Sequence, residues 1–384
     1  MKISLLDPGL KSVVGHHFDL DLRLARVLAQ RGHEVSVHGS RDLAPTLVAK
    51  AAEVGMELHA SFSIPTYRRL PAEKKAANGL RGLLRRPQAQ PSAIDIYRSW
   101  ARQTAEELAV IPEADLWFWP TLASYQFDAA TLPQRGIRQA GGLWWQPRFP
   151  VEIGARSWQQ TARRAAGAAP QFVVGAYDEA IARAYRSFSP QLEMHRLPCP
   201  HDGAVNLRQP AELKRIGFFG HQRLDRGIDL VPGLVNALLD RGFEIVLQDS
   251  SQTLRGKVDD PRLEILPFID DFPALVARCD AVIWPSRWEA YQQNCSGVVS
   301  ECIATGVPVI LPAGCLPAEV AARFNCGIFF CDYSSEAILE AVDALTAGFA
   351  TAWAAAQAAG QAWRAENGTE RLACWLEHLI EGKA

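Results

Sequence analysis

The sequence predicts an α/β protein built from two doubly wound, parallel-sheet domains, and three observations carry that expectation. Short apolar or β-branched runs alternate with segments of helical period along most of the chain. The alternation breaks once, at residues 197–215, where "LPCPHDGAVNLRQPAELKR" has turn-forming residues and no period, and then it restarts. At 384 residues the chain is also too long for one ordinary core and suits two domains of roughly 150 to 200 residues each.

In the first half "KISLL" reads as a strand. "FDLDLRLARVLAQRGH" follows with Leu20, Leu22, Leu24, Val27 and Leu28 at helical spacing, and "EVSVHGS" is the next strand, which completes a βαβ unit. "MELHASF", "ADLWFWP", "RQAGGLWW", "QFVVGA" and "LEMHRLP" continue as strands. Helical segments are expected around residues 97–108, 158–168 and 178–188. Such alternation implies a parallel sheet covered on both faces.

The second half repeats the pattern. "RIGFFG", "FEIVLQ", "RLEILPF", "DAVIWPS", "VPVI" and "GIFFCD" are strands, with helices over "GIDLVPGLVNALLDRG", "DFPALVARC" and the run that begins "SGVVSE". From Ser334 the chain is helical and Ala-rich, and it ends in the amphipathic "RLACWLEHLIEGK". The expected division is residues 1–200 as a first Rossmann-like domain, 201–365 as a second, and 366–384 as a helix packing back on the first. Ligands of such folds bind at the carboxyl ends of the strands, so the chemistry is expected in a cleft where two such edges face each other.

Composition excludes some classes. With 40 Lys+Arg against 42 Asp+Glu there is no global charge to attract a nucleic acid. The eight cysteines all fall at or after Cys199, match no CxxC or Cys/His zinc spacing, and read as free buried thiols of a reducing compartment, Cys295, Cys302, Cys315, Cys326 and Cys331 acting as small hydrophobes. The opening "MKISLLDPG" is too short for a signal-peptide core, and no run approaches the roughly 18 apolar residues of a spanning helix, so a soluble, cytoplasmic chain is expected.

Two motifs in the second half carry chemistry. In "FFGHQRLDRGIDL", Gly220 ends a strand, and His221, Arg223 and Arg226 precede the next helix. Guanidinium groups in such a loop can hold a diphosphate by charge-assisted, partly bidentate hydrogen bonds, or they can simply be solvated. In "YQQNCSGVVSECIATGVPVI", the Ser296-Gly297 pair opens a helix whose first amides carry partial positive charge toward an anion. Glu301, one turn on, can accept from two vicinal hydroxyls, as an acidic residue does for ribose in dinucleotide folds; a capping serine and a surface glutamate are the plainer alternative.

The order Gly220, Arg223, Arg226-Gly227, "PRLEILPFIDD", "CDAVIWPS", "SGVVSECIATGVPVI" and "FNCGIFF" resembles the retaining GT-B glycosyltransferases of family four. In the first half "PGLKSVVGHHFDLDLRLARVLAQRGHEVSV" looks like that family's glycine-containing first loop and helix. The resemblance implies a donor-binding second domain and an acceptor-binding first domain. It implies that Arg223 and Arg226 hold the donor diphosphate, that Ser296, Gly297 and Val298 give it backbone amides, that Glu301 binds ribose, and that Gly15 and His16 approach the diphosphate from the other domain. Where the family usually has a second glutamate touching the donor sugar, this chain has Gln293, and His221 stands where many relatives keep an arginine. The implied reaction moves a sugar from a UDP- or GDP-sugar to a hydroxyl, with retention and no metal or other cofactor, onto a glycan or lipid-linked sugar of a bacterial surface polymer. The rivals are a nucleotide-sugar epimerase of similar architecture and a catalytically silent nucleotide-sugar-binding protein, for which Gln293 is the best argument.

In the first domain His16 and His17 precede the first long helix, where an imidazole can meet phosphate or sugar or can be a plain helix-start residue; Asp19 is equally open. Thr121 and Tyr125 follow a strand end and would suit an acceptor's hydroxyls or the core, and Trp117, Trp119, Trp144 and Trp145 read mostly as core. From Tyr67 to Arg86 the chain carries Arg68, Arg69, Lys74, Lys75, Arg81, Arg85 and Arg86 against Glu73 alone, interleaved with leucines. That pattern fits peripheral contact with anionic lipid at the inner face of the membrane, or a solvated loop.

Overall fold

The structure, a computed structural model, describes residues 1–13, 16–66, 91–132, 136–145, 154–168, 170–220, 223–249, 259–267, 269 and 271–382. The basic segment 67–86, Gly15 and His221 lie outside the described residues. The chain divides into two compact units, Met1–Leu197 with Trp375–Ala384, and Pro198–Cys374.

The first unit is built on strands β1 (Lys2–Leu6), β2 (Glu34–Ser40), β3 (Glu57–Phe62), β4 (Leu116–Trp119), β5 (Arg138–Leu143), β6 (Val173–Ala176) and β7 (Met194–Arg196). They pair in parallel throughout, in the order β3-β2-β1-β4-β5-β6-β7. Their apolar runs are continuous because both faces are covered: Ile3, Leu5, Leu116, Phe118 and Val174 are all but fully buried. Helix starts are set locally. Ser92 and Asp95 form a capping box at the head of Ala93–Leu108, and Asp178 accepts from the Ala180 amide at 2.8 Å at the head of Glu179–Phe188. Two helices lie where the sequence left no element, Pro45–Glu53 and Ser124–Ala130. Neither has a legible stripe: the first buries only Leu47 and Ala51, and the second is buried on most of its surface.

The second unit holds β8 (Arg215–Phe218), β9 (Glu244–Gln248), β10 (Leu263–Leu266), β11 (Ala281–Ile283), β12 (Val309–Pro312) and β13 (Gly327–Phe330). This sheet is also wholly parallel, ordered β10-β9-β8-β11-β12-β13. Both sheets reverse their strand order once, between β1 and β4 and between β8 and β11, the place where doubly wound folds bind ligands.

The C-terminal part differs from expectation. Only Trp375–Ala384 belongs to the first unit, not the whole of 366–384. The reason is a set of local bonds within each unit. Asn367 Oδ1 accepts from the Cys199 amide at 3.0 Å, and Asp202 accepts from the Thr369 amide at 2.6 Å and its hydroxyl at 2.7 Å, which ties these residues to the second unit. Glu377 instead accepts from Arg31 at 2.6 and 2.9 Å and pairs with His33 at 2.7 Å, and the Arg31 hydrogen bond above all holds its carboxyl down at about 2. All eight cysteines are free. Cys331 departs from the buried expectation because β13 ends at Phe330 and leaves it exposed, whereas burial pushes the Cys326 and Cys279 thiols up to about 12. Among the described residues no single helix is long and apolar enough to cross a membrane.

Candidate functional site

At the carboxyl end of β8 the backbone turns through Gly220, at φ +103, in a conformation that side chains rarely adopt. Its amide donates to Gln248 Oε1 at 2.8 Å, which fixes the turn against β9. A Cβ at this position would collide with Arg226 Nη1 and stand 3.6 Å from Val298 Cγ2. The missing side chain therefore makes room for a guanidinium and brings the loop after β8 to the first turn of the helix Gly297–Thr305. The sequence-predicted Gly220, Arg226 and Val298 meet here.

Arg226 ends the short 3-10 turn Leu224–Arg226. Gly227 follows at φ +81, and a side chain there would strike the Pro285 carbonyl, so the turn lies flat on the residues that leave β11. The guanidinium carbon sits 5.7 Å from the centroid of the Tyr291 ring, and Nε is buried without a hydrogen-bond partner. Arg223 is placed differently: its side chain is 55% exposed and pairs with Asp225 at 3.2 Å. The structure thus aims one of the two expected arginines into the site and leaves the other at its rim.

Arg287, which sequence reasoning passed over, holds this turn. Its amide donates to the Asp225 carbonyl at 3.0 Å and its Nε to the Leu224 carbonyl at 3.3 Å. Nη2 reaches Asp229 Oδ2 at 2.7 Å, the Tyr333 hydroxyl donates to Asp229 Oδ1 at 2.9 Å, and the guanidinium lies 4.2 Å from the Tyr333 ring centroid. Burial, with Asp229 beside it, pushes the Tyr333 hydroxyl above its ordinary range.

Ser296 caps the helix Gly297–Thr305, its hydroxyl accepting from the Val299 amide at 3.4 Å. Helix geometry leaves the first-turn amides of Gly297 and Val298 without acceptors inside the helix. Glu301 is only 1% exposed, which removes the surface reading. Its Oε2 pairs with His201 Nδ1 at 2.9 Å, and Oε1 is buried with no partner. His201, itself buried, presents its ring edge 3.4 Å from where a Gly297 Cβ would be, and its carbonyl accepts from Trp363 Nε1 at 2.8 Å. By sequence His201 lies in the linker segment, where the one signal is an isolated histidine among turn formers. Gln293 is half-buried in the turn between Tyr291 and Ser296.

In the first unit the helix His16–Gln30 begins at His16. His17 is buried and its Nδ1 lies 2.5 Å from Asp7 Oδ2, while Asp19 is spent on Arg23 at 2.6 Å. Tyr125 is buried and its hydroxyl donates to the Ile64 carbonyl at 3.2 Å; Thr121 is fully buried. Both side chains belong to the core rather than to an acceptor surface. Trp117 and Trp119 are core as well, and Trp144 packs on Tyr177 with ring centroids 4.0 Å apart. Among the described residues no group of three or more His, Cys, Asp or Glu side chains is arranged to hold a metal ion.

Residues 214–347 match the family model described as glycosyl transferases group 1, a span that contains every site residue of the second unit named above except His201 and Trp363. Across the whole chain the fold is similar to solved glycosyltransferases. One is a glycosyltransferase from Rickettsia africae, at 12% identity and TM-score 0.66, covering 100% of this chain and 98% of that one. Another is HepE from Anabaena in complex with UDP, at 13% identity and TM-score 0.64, covering 100% of both chains. A third is sucrose-phosphate synthase from Thermosynechococcus elongatus, at 14% identity and TM-score 0.64, covering 100% of this chain and 98% of that one. No curated protein matches the chain in sequence. The fold is therefore GT-B, two Rossmann-like α/β domains. Its second domain is of the group 1 glycosyltransferase type.

Proposed function

We propose that the protein transfers a sugar from a UDP- or GDP-sugar to a hydroxyl acceptor, with retention and without a metal ion. The observation that carries this reading is the meeting of Gly220, Arg226 and Val298 at the carboxyl edge of the second sheet, beside a buried glutamate with one oxygen unpartnered. Arg226 and the amides of Gly297 and Val298 would receive the diphosphate, and Glu301 Oε1 would accept from ribose. Negative charge grows on the diphosphate as the glycosidic bond breaks, so donors fixed in place before the reaction stabilise the transition state more than the ground state. Arg226 supplies the positive charge that a divalent ion supplies in other phosphoryl-leaving reactions. Arg223 would add charge at the rim of the diphosphate site, and Gln293 would hydrogen-bond the donor sugar. HepE, of similar fold, has been solved with UDP-glucose, which supports a uridine donor here. A bacterial glycan or lipid-linked sugar is the proposed acceptor, taken up at the inner face of the membrane through residues 67–86.

The test is a thermal-shift screen of nucleotide sugars followed by product analysis. A ligand that binds only the folded state raises the melting temperature by mass action. Stabilisation by a UDP- or GDP-sugar, and turnover that persists in EDTA, are expected; turnover abolished by EDTA and restored by Mg²⁺ or Mn²⁺ would assign the charge to a metal. A second reading, a silent nucleotide-sugar-binding protein, is favoured by Gln293 where the family's second glutamate is usual. It predicts stabilisation by the donor with neither hydrolysis nor transfer.

A further inference from the structure

Beneath Arg226 lies a small recess whose walls include Gly220, Arg226, Trp284, Pro285 and Ser286. Trp284 and Ser286 leave β11 at the point where the second sheet reverses its strand order. Both are almost wholly buried, at 1% and 0% exposure, and neither the Trp284 indole N–H nor the Ser286 hydroxyl has a hydrogen-bond partner. Arg226 Nε, on the same recess, is buried and unpartnered too. A buried polar group without a partner costs stability, and three around one recess call for a shared acceptor.

The three groups can all donate, and the recess opens beside the turn of Gly220, so the acceptor they suit is an anionic oxygen. We infer that Ser286 and Trp284 form, with Arg226, a buried subsite for a phosphate oxygen of a nucleoside diphosphate. The inference rests on the donor reading above and extends it to two residues with no role there. Tyr291 fixes the subsite from one side: the Trp284 ring meets it edge-on with centroids 4.6 Å apart, and the Arg226 guanidinium lies over it. Trp284 is thus held by packing and keeps its N–H for the ligand.

The orphaned state of these groups gives the subsite a signature that a structural role lacks. Removing a hydroxyl that has no partner should leave the ligand-free protein as stable as before or more so, while ligand affinity falls. The wild-type chain of residues 1–384, Ser286→Ala and Trp284→Phe are compared by calorimetry with UDP, GDP, uridine, guanosine and inorganic pyrophosphate, and by melting without ligand. Ser286→Ala is expected to melt at or above the wild-type temperature, and Trp284→Phe only slightly below it, because the smaller ring leaves part of a packed site empty. Each should lose roughly tenfold in affinity for the better nucleoside diphosphate and for pyrophosphate, the scale of a hydrogen bond to a charged group. Binding of the matching nucleoside should not change. Wild-type binding of UDP or GDP that both variants retain in full overturns the subsite and leaves the donor reading standing, and so does a variant that melts well below the wild type with unaltered affinity. A wild type that binds pyrophosphate but neither nucleotide keeps the subsite and removes the donor. Failure of the wild type to bind any of the three phosphates overturns both.

Discussion

Beyond β1 the chain runs into Asp7 and a helix whose first turn holds His17; beyond β8 it runs into Gly220 and a turn that holds Arg226. Both segments leave an inner strand of a wholly parallel sheet, next to the strand-order reversal. The first pairs within itself around Asp7, since His17 Nδ1 lies 2.5 Å from Asp7 Oδ2 and Asp7 Oδ1 accepts from the Gly9 amide at 2.8 Å, while the buried Asp21 carboxyl near them has no hydrogen-bond partner. The second keeps donors in hand, with Arg226 Nε, Ser286 and the Trp284 indole all unpartnered. Equivalent positions in two similar folds therefore do different work. One keeps a buried acid beside the charge of Asp7, and the other keeps buried donors that suit the proposed anionic ligand, each at some cost in stability.

The largest expected effect breaks the second loop. Arg226→Ala should lower turnover at saturating donor by roughly a hundredfold or more, the scale of losing a preorganised charge-stabilising group, and Arg226→Lys should recover part of it because a point charge lacks the planar fork. Arg223→Ala should cost no more than about threefold, because an exposed arginine already paired with Asp225 contributes little. Steady-state kinetics on both variants decide the point, and equal losses would mean that the two arginines act together.

Next in size is the glutamate pair. Glu301→Gln should weaken UDP or GDP binding by roughly tenfold with the fold intact, since the amide offers one acceptor oxygen where the carboxyl group offers two. His201→Asn should bind nearly as well as wild type, because the Asn amide nitrogen stands close to where Nδ1 stood, whereas His201→Phe should approach the Glu301→Gln level. Calorimetry on the three variants tests this order. If Asn and Phe bind alike, the 2.9 Å contact does not orient the carboxylate.

A smaller effect comes from the brace behind the turn. Arg287→Ala removes the side-chain contacts to Leu224, Asp229 and the Tyr333 ring but touches none of the proposed ligand atoms. Turnover should fall by roughly tenfold, about what a modest misplacement of Arg226 costs, with donor KM changing less. An unchanged kcat would show that Gly227 against Pro285 suffices to place the turn.

The sequence made the sheets legible because strands buried on both faces read as continuous apolar runs, and each expected strand has its counterpart from β1 to β13. The site was legible where chemistry is local in sequence, as in Gly220 with Arg226 or Ser296 with Gly297. It was not legible where partners are distant: His201 and Glu301 are separated by a hundred positions. The surface alternative for Glu301 stayed open because Val298 through Thr305 are all buried, so the helix has no polar face against which a lone glutamate stands out. The orphaned donors of Trp284 and Ser286 were hidden for a related reason. Strand-end residues of these types pass for core and cap until their partners can be looked for in three dimensions.

The smallest effect sharpens the comparison from the first loop. Asp21 is fully buried, and burial first, then the charge of Asp7, hold its carboxyl well above the ordinary aspartate value of 3.8. The folded protein therefore keeps a proton that the unfolded chain releases. Below that ordinary value both states are protonated and Asp21 contributes no slope. As pH rises through it the unfolded chain gains by ionising, so stability declines, and the decline ends only when pH passes the raised value of the folded state. Asparagine ionises in neither state and has nearly the same shape. Asp21→Asn should thus melt like the wild type in acid below the ordinary aspartate value and above it at neutral pH, with nucleotide affinity unchanged. Melting curves across pH, read beside calorimetry, give the answer. Parallel curves would mean that the folded protein ionises Asp21 as readily as the unfolded chain does. A fall in nucleotide affinity would place the first loop, like the second, in the business of binding.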